Sequence, residues 1–249
     1  MSNPPSLHEL LAHSHLLTER QRRQGSIGAV GPLLCVHVEG VRDGTPVTRD
    51  RFFADQCSPA AALLALRNYG PEREHELFVV DAPRERQRAF VRVGFRLLRV
   101  EWLMALALRE SPGWPAPDRP VTPATTASQS LLLDAIDGLD PIPAAEITDP
   151  ALAHFYAQAE GRPVAYGRSA RYDETTAWVS HVYTAPAYRR QGYATAVMAA
   201  LLAHSAATGV GQSLLLATEM AYGLYERLRY RTLAPVAVFR LPTAALRRH

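Results

Sequence analysis

Two adjacent arginines and a glycine stand where an apolar segment gives way to the start of a helix. Residues 178–194 read WVSHVYTAPAYRRQGYA, so a strand ending near Thr184 leads through a tight turn into a helix. Gly192 has no Cβ and lets backbone N–H groups close on an anion, which the dipole of the following helix also attracts. Arg189 and Arg190 can add charge-assisted hydrogen bonds to phosphate oxygens. This order of parts predicts a site for the pyrophosphate of a coenzyme.

The segments around this turn alternate between strand and helix. Apolar periodicity and the stop signal at Gly209 predict a helix over about 193–208. A buried strand, a second helix and a last strand are expected at 213–217, 221–230 and 235–241. Upstream, the expected elements are a short helix and a hairpin, at 130–138 and 154–171.

The order of these segments, together with two short motifs, resembles the GNAT superfamily of acyl-CoA-dependent N-acyltransferases. The coenzyme loop of that family, (Gln/Arg)-x-x-Gly-x-(Gly/Ala), is matched by RRQGYA at 189–194, and its later LYxxLGF motif by LYERLRY at 224–230. Two positions depart from the family pattern. Arg229 replaces the glycine after LYxxL, where a left-handed backbone would cost about 1 kcal/mol. Thr218 lies about where an asparagine is often found, which puts one coenzyme contact in doubt.

The resemblance, which covers about 150–241, implies a mixed α/β fold with a mostly antiparallel sheet flanked by helices, and acetyl-CoA as co-substrate. It implies that the backbone N–H of Val182 stabilises the thioester oxygen in the transition state, as preorganised donors do. Residues 182 and 184 would bind the pantetheine arm like a neighbouring strand. The coenzyme-binding residues implied in this way are Val182, Tyr183, Thr184, Arg189, Arg190, Gln191, Gly192, Tyr193, Ala194 and Thr195.

Tyr225 is the proton donor that the resemblance implies. A phenol with a pKa near ~10 stays protonated at neutral pH and can protonate the thiolate that leaves during acyl transfer. The spacing alone also fits an aromatic residue on the buried face of an amphipathic helix. A coenzyme A-binding regulatory module without catalysis is therefore a second interpretation, which Arg229 and the lack of an evident base favour.

The base that deprotonates the amine is not evident in the sequence. An alkyl ammonium with a pKa of about 10.4 must lose a proton before attack, at a cost of roughly 4–5 kcal/mol near pH 7. The positions where the family often carries a base are Trp178 and Ser180, which we expect instead to contact the acceptor amine. Alternation along a strand predicts that His181 points away from their face. The carboxylates that remain open are Glu160, Glu174 and Glu219.

Composition excludes several other classes of protein. The 249 residues include 47% apolar side chains, but no apolar run approaches the roughly 18 residues of a membrane span. Cys35 and Cys57 lie in no metal-binding spacing and favour a reducing cytoplasm over a disulfide scaffold. A net charge of +3, spread over the chain, gives no reason for a nucleic-acid partner. We therefore expect a cytoplasmic protein without a metal, acting on a small-molecule or peptide amine.

The first half of the chain contains a weak copy of the second. At a constant offset of 135 residues, Phe90, Val93, Gly94, Phe95 and Arg96 fall on Tyr225, Leu228, Arg229, Tyr230 and Arg231. The copy has a phenylalanine in place of the tyrosine acid. The segment aligned with the coenzyme loop, ADQCSP at 54–59, has neither arginine nor glycine. An unrelated α/β domain whose helix happens to end in VGF is the alternative.

The domain organisation follows from this copy and from a proline-rich segment. Five prolines in 111–125 argue against a helix or a central strand and predict an extended linker. We expect a degenerate GNAT-like half without a coenzyme loop at 1–110 and a GNAT N-acetyltransferase domain at 126–249. The strand around Trp102 can be shared between the two halves.

Overall fold

The computed structural model describes residues 6–20, 25–42, 45–69, 75–109 and 118–242. The helices are α1 (Leu7–Arg20), α2 (Pro59–Tyr69), α3 (Arg84–Arg92), α4 (Ala127–Leu133), α5 (Ala144–Ile147), α6 (Tyr193–Ala207) and α7 (Glu219–Arg227). The strands are β1 (Gly25–Val30), β2 (Leu33–Arg42), β3 (Thr45–Ala54), β4 (His75–Val80), β5 (Arg96–Ala107), β6 (Val121–Ala124), β7 (Leu152–Ala159), β8 (Arg162–Arg171), β9 (Thr176–Thr184), β10 (Gln212–Ala217) and β11 (Arg231–Arg240). None of the described helices is both long enough and apolar enough to cross a membrane.

The chain divides into two compact units. The first unit contains the described residues up to Leu103, together with Ala217–Met220 and the described residues from Thr232 onward. The second unit contains the described residues of Met104–Leu216 and of Ala221–Arg231. Strand β5 therefore contributes its first eight residues to one unit and its last four to the other.

In the first unit, three antiparallel strands are followed by a parallel one. β1 pairs with β2 and β2 with β3, both antiparallel, and β3 runs parallel to β4 up to its last residue, Ala54. β11 pairs antiparallel with β4. The residues of β4 form a nearly continuous apolar run because this strand is buried almost throughout. The core contains Phe52, Phe90 and Phe239.

The second unit has the same arrangement with an additional edge strand. β6, β7, β8 and β9 pair in that order, all antiparallel, and β9 runs parallel to β10. Helix α6 packs closely on β8 at Gly167. A Cβ at this position would lie 2.8 Å from Cγ1 of Val197 and 3.0 Å from Cδ1 of Leu201. Glycine permits this approach because it has no side chain.

The two halves of the sequence share one order of elements. β1, β2, β3, α2, β4, α3 and β5 correspond to β7, β8, β9, α6, β10, α7 and β11. The first and the last residue of α7 each lie 135 positions after those of α3. The N–H of Tyr230 donates to the carbonyl of Tyr225 at 3.0 Å, and the equivalent bond joins Phe95 to Phe90 at 3.2 Å. The predicted mixed, mostly antiparallel α/β fold with two similar halves is confirmed, while its domain boundaries stay a prediction.

Some elements differ from the sequence-based prediction in extent. α7 begins at Glu219 and β11 at Arg231, both earlier than expected. Residues 121–124, expected in an extended linker, form β6 and pair with β7. Pro123 is tolerated because β6 is an edge strand and needs no ladder donor on its outer side. Residues 111–117 of the predicted linker lie outside the described part of the chain.

Arg229→Gly is expected to raise the free energy of unfolding by about 1 kcal/mol, because Arg229 has a left-handed φ of 68°. The equivalent turn of the first unit carries Gly94, with φ of 106°. Urea denaturation followed by circular dichroism would measure the change. Arg227→Gly, at the last residue of α7, should lower the stability instead, because glycine is a poor helix former. A loss of stability in Arg229→Gly would show that the arginine side chain contributes more than its backbone strain costs.

Candidate active site

The parallel strands β9 and β10 are paired over only three residues. Gln212–Leu214 lie beside Thr176–Trp178, and the register ends there although β9 continues to Thr184 and β10 to Ala217. A strand that leaves its neighbour presents N–H and C=O groups along that edge. The opening lies at the carboxyl end of β9, directly before the turn predicted to bind an anion.

A β-bulge interrupts β9 beside this opening. The register with β8 skips two residues of β9, His181 and Val182, against the single residue Gly167 of β8. His181 has a left-handed φ of 56°. Bulges disrupt the hydrogen-bond ladder and redirect side chains, often next to active sites. Val182, the predicted oxyanion donor, therefore lies in an irregular part of β9, and its role stays a prediction.

The turn between β9 and α6 has the backbone of an anion-binding nest. Arg190 and Gly192 have positive φ values of 63° and 88°. Left-handed residues beside a helix start direct successive N–H groups toward one point. Gly192 is the N-cap of α6, whose first turn has neither a side-chain cap nor an acidic residue. The uncapped N–H groups of that turn add to the positive potential, so the turn can hold an anion.

The polar side chains of this turn support its shape. Arg189 donates from Nε to the carbonyl of Thr184 at 3.1 Å, and Gln191 donates from Nε2 to the carbonyl of Ala187 at 3.0 Å. Arg189 and Arg190 are both exposed. Two guanidinium groups beside a nest favour a polyanion such as a pyrophosphate.

Two of the residues predicted to bind a coenzyme use their side chains elsewhere. The hydroxyl of Tyr183 donates to the carbonyl of Asp137 at 3.0 Å. Tyr193 is buried, and its ring lies 4.9 Å from the guanidinium of Arg119. We therefore expect these tyrosines to contact a coenzyme through their backbone. Thr184 differs, because its buried hydroxyl has no hydrogen-bond partner among the described residues.

Tyr225 is enclosed within the second unit. It is 5% exposed, and its ring lies edge-on to that of Tyr230 with centroids 5.7 Å apart. The hydroxyl of Tyr230 shares a hydrogen bond of 2.7 Å with Ser213 of β10. Tyr225 is thus packed beside the strand that separates from β9. Burial raises the pKa of Tyr225 above its ordinary value near ~10, so the phenol keeps its proton at neutral pH.

In the part of the first unit that the structure describes, the opening, the bulge and the tyrosine are absent. Its parallel strands stay paired to the end of β3, and the register between β2 and β3 is uninterrupted. Phe90 occupies the place of Tyr225, and its ring lies edge-on to that of Phe95 at 5.4 Å. The aromatic packing is therefore kept while the hydroxyl is absent.

A buried polar network adjoins the bulge. Glu146 of α5 and Arg168 of β8 form an ion pair, and both side chains are 0% exposed. Arg168 also donates from Nε to Oγ of Ser180 at 3.3 Å and from Nη2 to Nδ1 of His181 at 3.1 Å. His154 donates from Nε2 to the carbonyl of Glu146 at 2.9 Å. Charged groups at this depth require such partners, because desolvation without them is costly.

Arg168 was not among the predicted site residues, although the sequence contains a signal for it. Arg168 lies within 163–170, a strand segment that otherwise holds only apolar, small and tyrosine residues, where a charge needs a buried partner. The prediction that His181 points away from Ser180 was wrong, because both side chains contact one edge of the Arg168 guanidinium. The bulge breaks the strict alternation on which that prediction depended.

The residues predicted to face the acceptor differ in accessibility. Trp178 is 4% exposed and lies at the last paired position of β9, whereas Ser180 is half-buried. The carboxylates left open as bases, Glu160, Glu174 and Glu219, are all exposed. Among the described residues, no group of three or more His, Cys, Asp or Glu is arranged to hold a metal ion.

Comparisons with known proteins agree with this geometry. Residues 119–230 match the acetyltransferase (GNAT) family, while no curated protein matches the chain. A GCN5-related N-acetyltransferase from Kribbella flavida is similar in structure, with a TM-score of 0.68 and 21% identity over 96% of this chain and 97% of that one. A tandem GNAT protein from the clavulanic acid biosynthesis pathway has a TM-score of 0.58 and 13% identity over 95% of this chain and 89% of that one. A GCN5-related N-acetyltransferase from Sphaerobacter thermophilus has a TM-score of 0.57 and 16% identity over 84% of this chain and 80% of that one.

The family match covers the part of the chain that carries the candidate site. The matched residues contain α4 to α7 and β6 to β10, which include the opening, the bulge, the turn and Tyr225. Residues 119–230 therefore form a GNAT acetyltransferase domain, and the predicted resemblance is confirmed. The tandem neighbour supports the assignment of two GNAT-like halves.

Proposed function

We propose that the second unit transfers an acetyl group from acetyl-CoA to a primary amine by direct attack through a tetrahedral intermediate. The observation that carries this proposal is the opening between β9 and β10, which leads to the uncapped start of α6. The pantetheine arm can pair along the free edge of β9 while the pyrophosphate lies at the helix. The first unit has no such opening, and we assign the chemistry to the second unit alone.

The residues present fit a coenzyme A ester. The left-handed residues Arg190 and Gly192 and the first turn of α6 supply N–H donors for the pyrophosphate. The exposed guanidinium groups of Arg189 and Arg190 add positive charge. The buried hydroxyl of Thr184 can bond to the arm, which would give this polar atom a partner.

The thioester oxygen gains negative charge when the amine nitrogen bonds to the carbonyl carbon. We assign its stabilisation to the backbone N–H of Val182, which lies in the bulge beside the opening. One preorganised donor of this kind contributes about 3 kcal/mol to the transition state. Collapse of the intermediate breaks the C–S bond and releases the coenzyme thiolate.

Tyr225 supplies the proton that the departing sulfur takes up. Burial raises the pKa of its phenol, which would hinder proton transfer to a thiolate in water. The same burial raises the proton affinity of a thiolate formed beside it, because both anions lose solvation. The transfer then ends with a neutral thiol and a tyrosinate. The tyrosinate regains a proton from solvent, and the nitrogen that has bonded to the acyl carbon gives up one proton to solvent, which leaves a neutral amide.

The amine must lose its extra proton before attack, and no base is assigned. Glu160 and Glu174 lie in exposed turns of the second unit and can reach a bound amine only through water. Since deprotonation costs roughly 4–5 kcal/mol near pH 7 for an ordinary alkylamine, an acceptor with a less basic amine should react faster.

Isothermal titration with acetyl-CoA, followed by thiol release over a panel of alkylamines, amino alcohols, amino acid amides and peptides, tests the proposal. We expect acetyl-CoA to bind and at least one amine to release thiol. Binding without thiol release on any amine would favour the regulatory module, and no binding of acetyl-CoA or CoA would overturn the assignment of the site.

A cytoplasmic location is part of the proposal. Cys35 and Cys57 are both free thiols in the described structure. Burial, with a smaller contribution from Asp50, raises the pKa of Cys35 to about 11. Two unpaired cysteines suit a reducing compartment, where the thiol product also stays reduced.

A further inference from the structure

The ion pair between Glu146 and Arg168 is buried at an energetic cost. Both side chains are 0% exposed. A buried ion pair commonly adds no stability over apolar residues of the same volume, because desolvation offsets the attraction. The role of the pair therefore lies in positioning the side chains that it contacts, and not in stability.

The guanidinium of Arg168 determines the tautomer of His181. Its Nη2 lies 3.1 Å from Nδ1 of the imidazole. A guanidinium only donates hydrogen bonds, so Nδ1 accepts, and in the neutral ring the hydrogen must then be on Nε2. With its lone pair bound to Arg168, His181 has no basic nitrogen for an approaching amine and can offer only an N–H donor.

The backbone conformation of His181 also orients its imidazole ring. His181 has φ of 56° at the bulge, a conformation that is strained for a non-glycine residue. Its side chain is exposed, whereas Glu146 and Arg168 are not. It precedes Val182, the proposed oxyanion donor, in the part of β9 that extends beyond β10. His181 is thus the accessible end of a buried polar network beside the proposed reaction centre.

We propose that His181 is a specificity-determining residue, which donates from Nε2 to an oxygen atom of the acceptor, and that Glu146 and Arg168 are its positioning residues. The preferred acceptor is then an amine that carries a carbonyl or hydroxyl oxygen close to the amino group. This inference rests on the proposed acetyl transfer, because it requires an amine at the opening between β9 and β10.

Steady-state kinetics with matched acceptors test the role of the donor. Alaninamide and 1,2-dimethylpropylamine share one heavy-atom skeleton, as do ethanolamine and propylamine, and only the first member of each pair carries the oxygen. Each acceptor is compared between wild type and variant, so that differences in amine basicity cancel. We expect His181→Leu to raise the KM of the oxygen-bearing acceptors about tenfold, as loss of one hydrogen bond would. The kcat, the KM of the alkylamines and the affinity for acetyl-CoA should stay near the wild-type values. His181→Gln, which keeps an N–H donor, should recover most of the loss, and His204→Leu, at an exposed histidine of α6, should change nothing.

The opposite pattern would overturn the proposal. A fall in kcat with KM unchanged, together with a lost ionisation in the pH profile of kcat, would make His181 a base. Equal effects on the alkylamines and on the oxygen-bearing acceptors would remove it from recognition.

Nitrogen NMR of the histidine rings tests the positioning independently of turnover. The protein has nine histidines, and the signals missing from His181→Gln identify those of His181. We expect an unprotonated Nδ1 and a protonated Nε2 at neutral pH in the wild type. In Glu146→Leu/Arg168→Met, which replaces the ion pair by apolar residues and should still fold, the two tautomers should mix. A hydrogen on Nδ1 in the wild type would overturn the inference even where acetyl transfer is established, and failure of acetyl-CoA to bind would instead overturn the proposed function.

Discussion

Tyr225→Phe is expected to lower the turnover of acetyl transfer by about 100-fold or more and to leave the affinity for acetyl-CoA nearly unchanged. The variant removes the proton that the leaving thiolate takes up, while the ring stays in place. The first unit shows that phenylalanine suits this packing, because Phe90 and Phe95 lie edge-on at 5.4 Å as Tyr225 and Tyr230 do at 5.7 Å. A thiol-release assay and isothermal titration would separate the two effects.

The matched control for this variant is Tyr222→Phe. Tyr222 lies on the same helix, and the substitution removes the same hydroxyl group from a side chain that is only half-buried. We expect turnover close to that of the wild type. If Tyr225→Phe kept full turnover, or if both variants lost it equally, Tyr225 would be excluded as the proton donor.

Gly192→Asp is expected to weaken the binding of acetyl-CoA by about 100-fold, or roughly 2.7 kcal/mol. The carboxylate would stand at the uncapped start of α6, where the pyrophosphate is proposed to lie, and would repel it. A Cβ at Gly192 meets no described atom within 4 Å, so steric exclusion by the protein does not explain the effect. Isothermal titration would measure the affinity, and thermal unfolding would show how much the left-handed φ of 88° costs an aspartate.

Gly209→Asp makes the same substitution at the other end of the same helix. Gly209 has φ of 83°, and its Cβ would likewise contact no described atom within 4 Å. The backbone strain is therefore comparable, and the carboxylate lies near the negative end of the helix dipole. We expect a loss of stability with unchanged affinity for acetyl-CoA. Equal losses of affinity in the two variants would mean that the turn before α6 is not the anion site.

The two units differ in the features proposed for coenzyme binding, while their packing is alike. Both have three antiparallel strands, a helix, a parallel strand and a second helix. In the first unit, the parallel strands stay paired to the end of β3, and the register between β2 and β3 is uninterrupted over their described residues. A sheet without the opening has no edge for a pantetheine arm, which agrees with the missing arginines and glycine at 54–59.

The sequence alone determined the turn at 189–194, the order of the elements and the internal copy. These features are local: a glycine that permits a left-handed backbone, a helix start without an acidic residue, and aromatic residues at fixed spacing. Arg189, Arg190 and Gly192 could be recognised because residues close in sequence form the turn by themselves. The repeated helix ends could be recognised because the offset of 135 residues is constant over the whole motif.

Only the tertiary structure decided where β9 leaves β10, which strand β11 joins and which partner Arg168 has. Pairing of β11 with β4 and of Arg168 with Glu146 joins residues far apart in the chain, and no local pattern specifies such a choice. The bulge at His181 is the clearest case. Strict alternation predicts one direction for its side chain, but the extra residue opposite Gly167 turns it onto the edge of the Arg168 guanidinium that also contacts Ser180. Side-chain direction in a strand depends on register, and register is set by the neighbouring strands rather than by the strand itself.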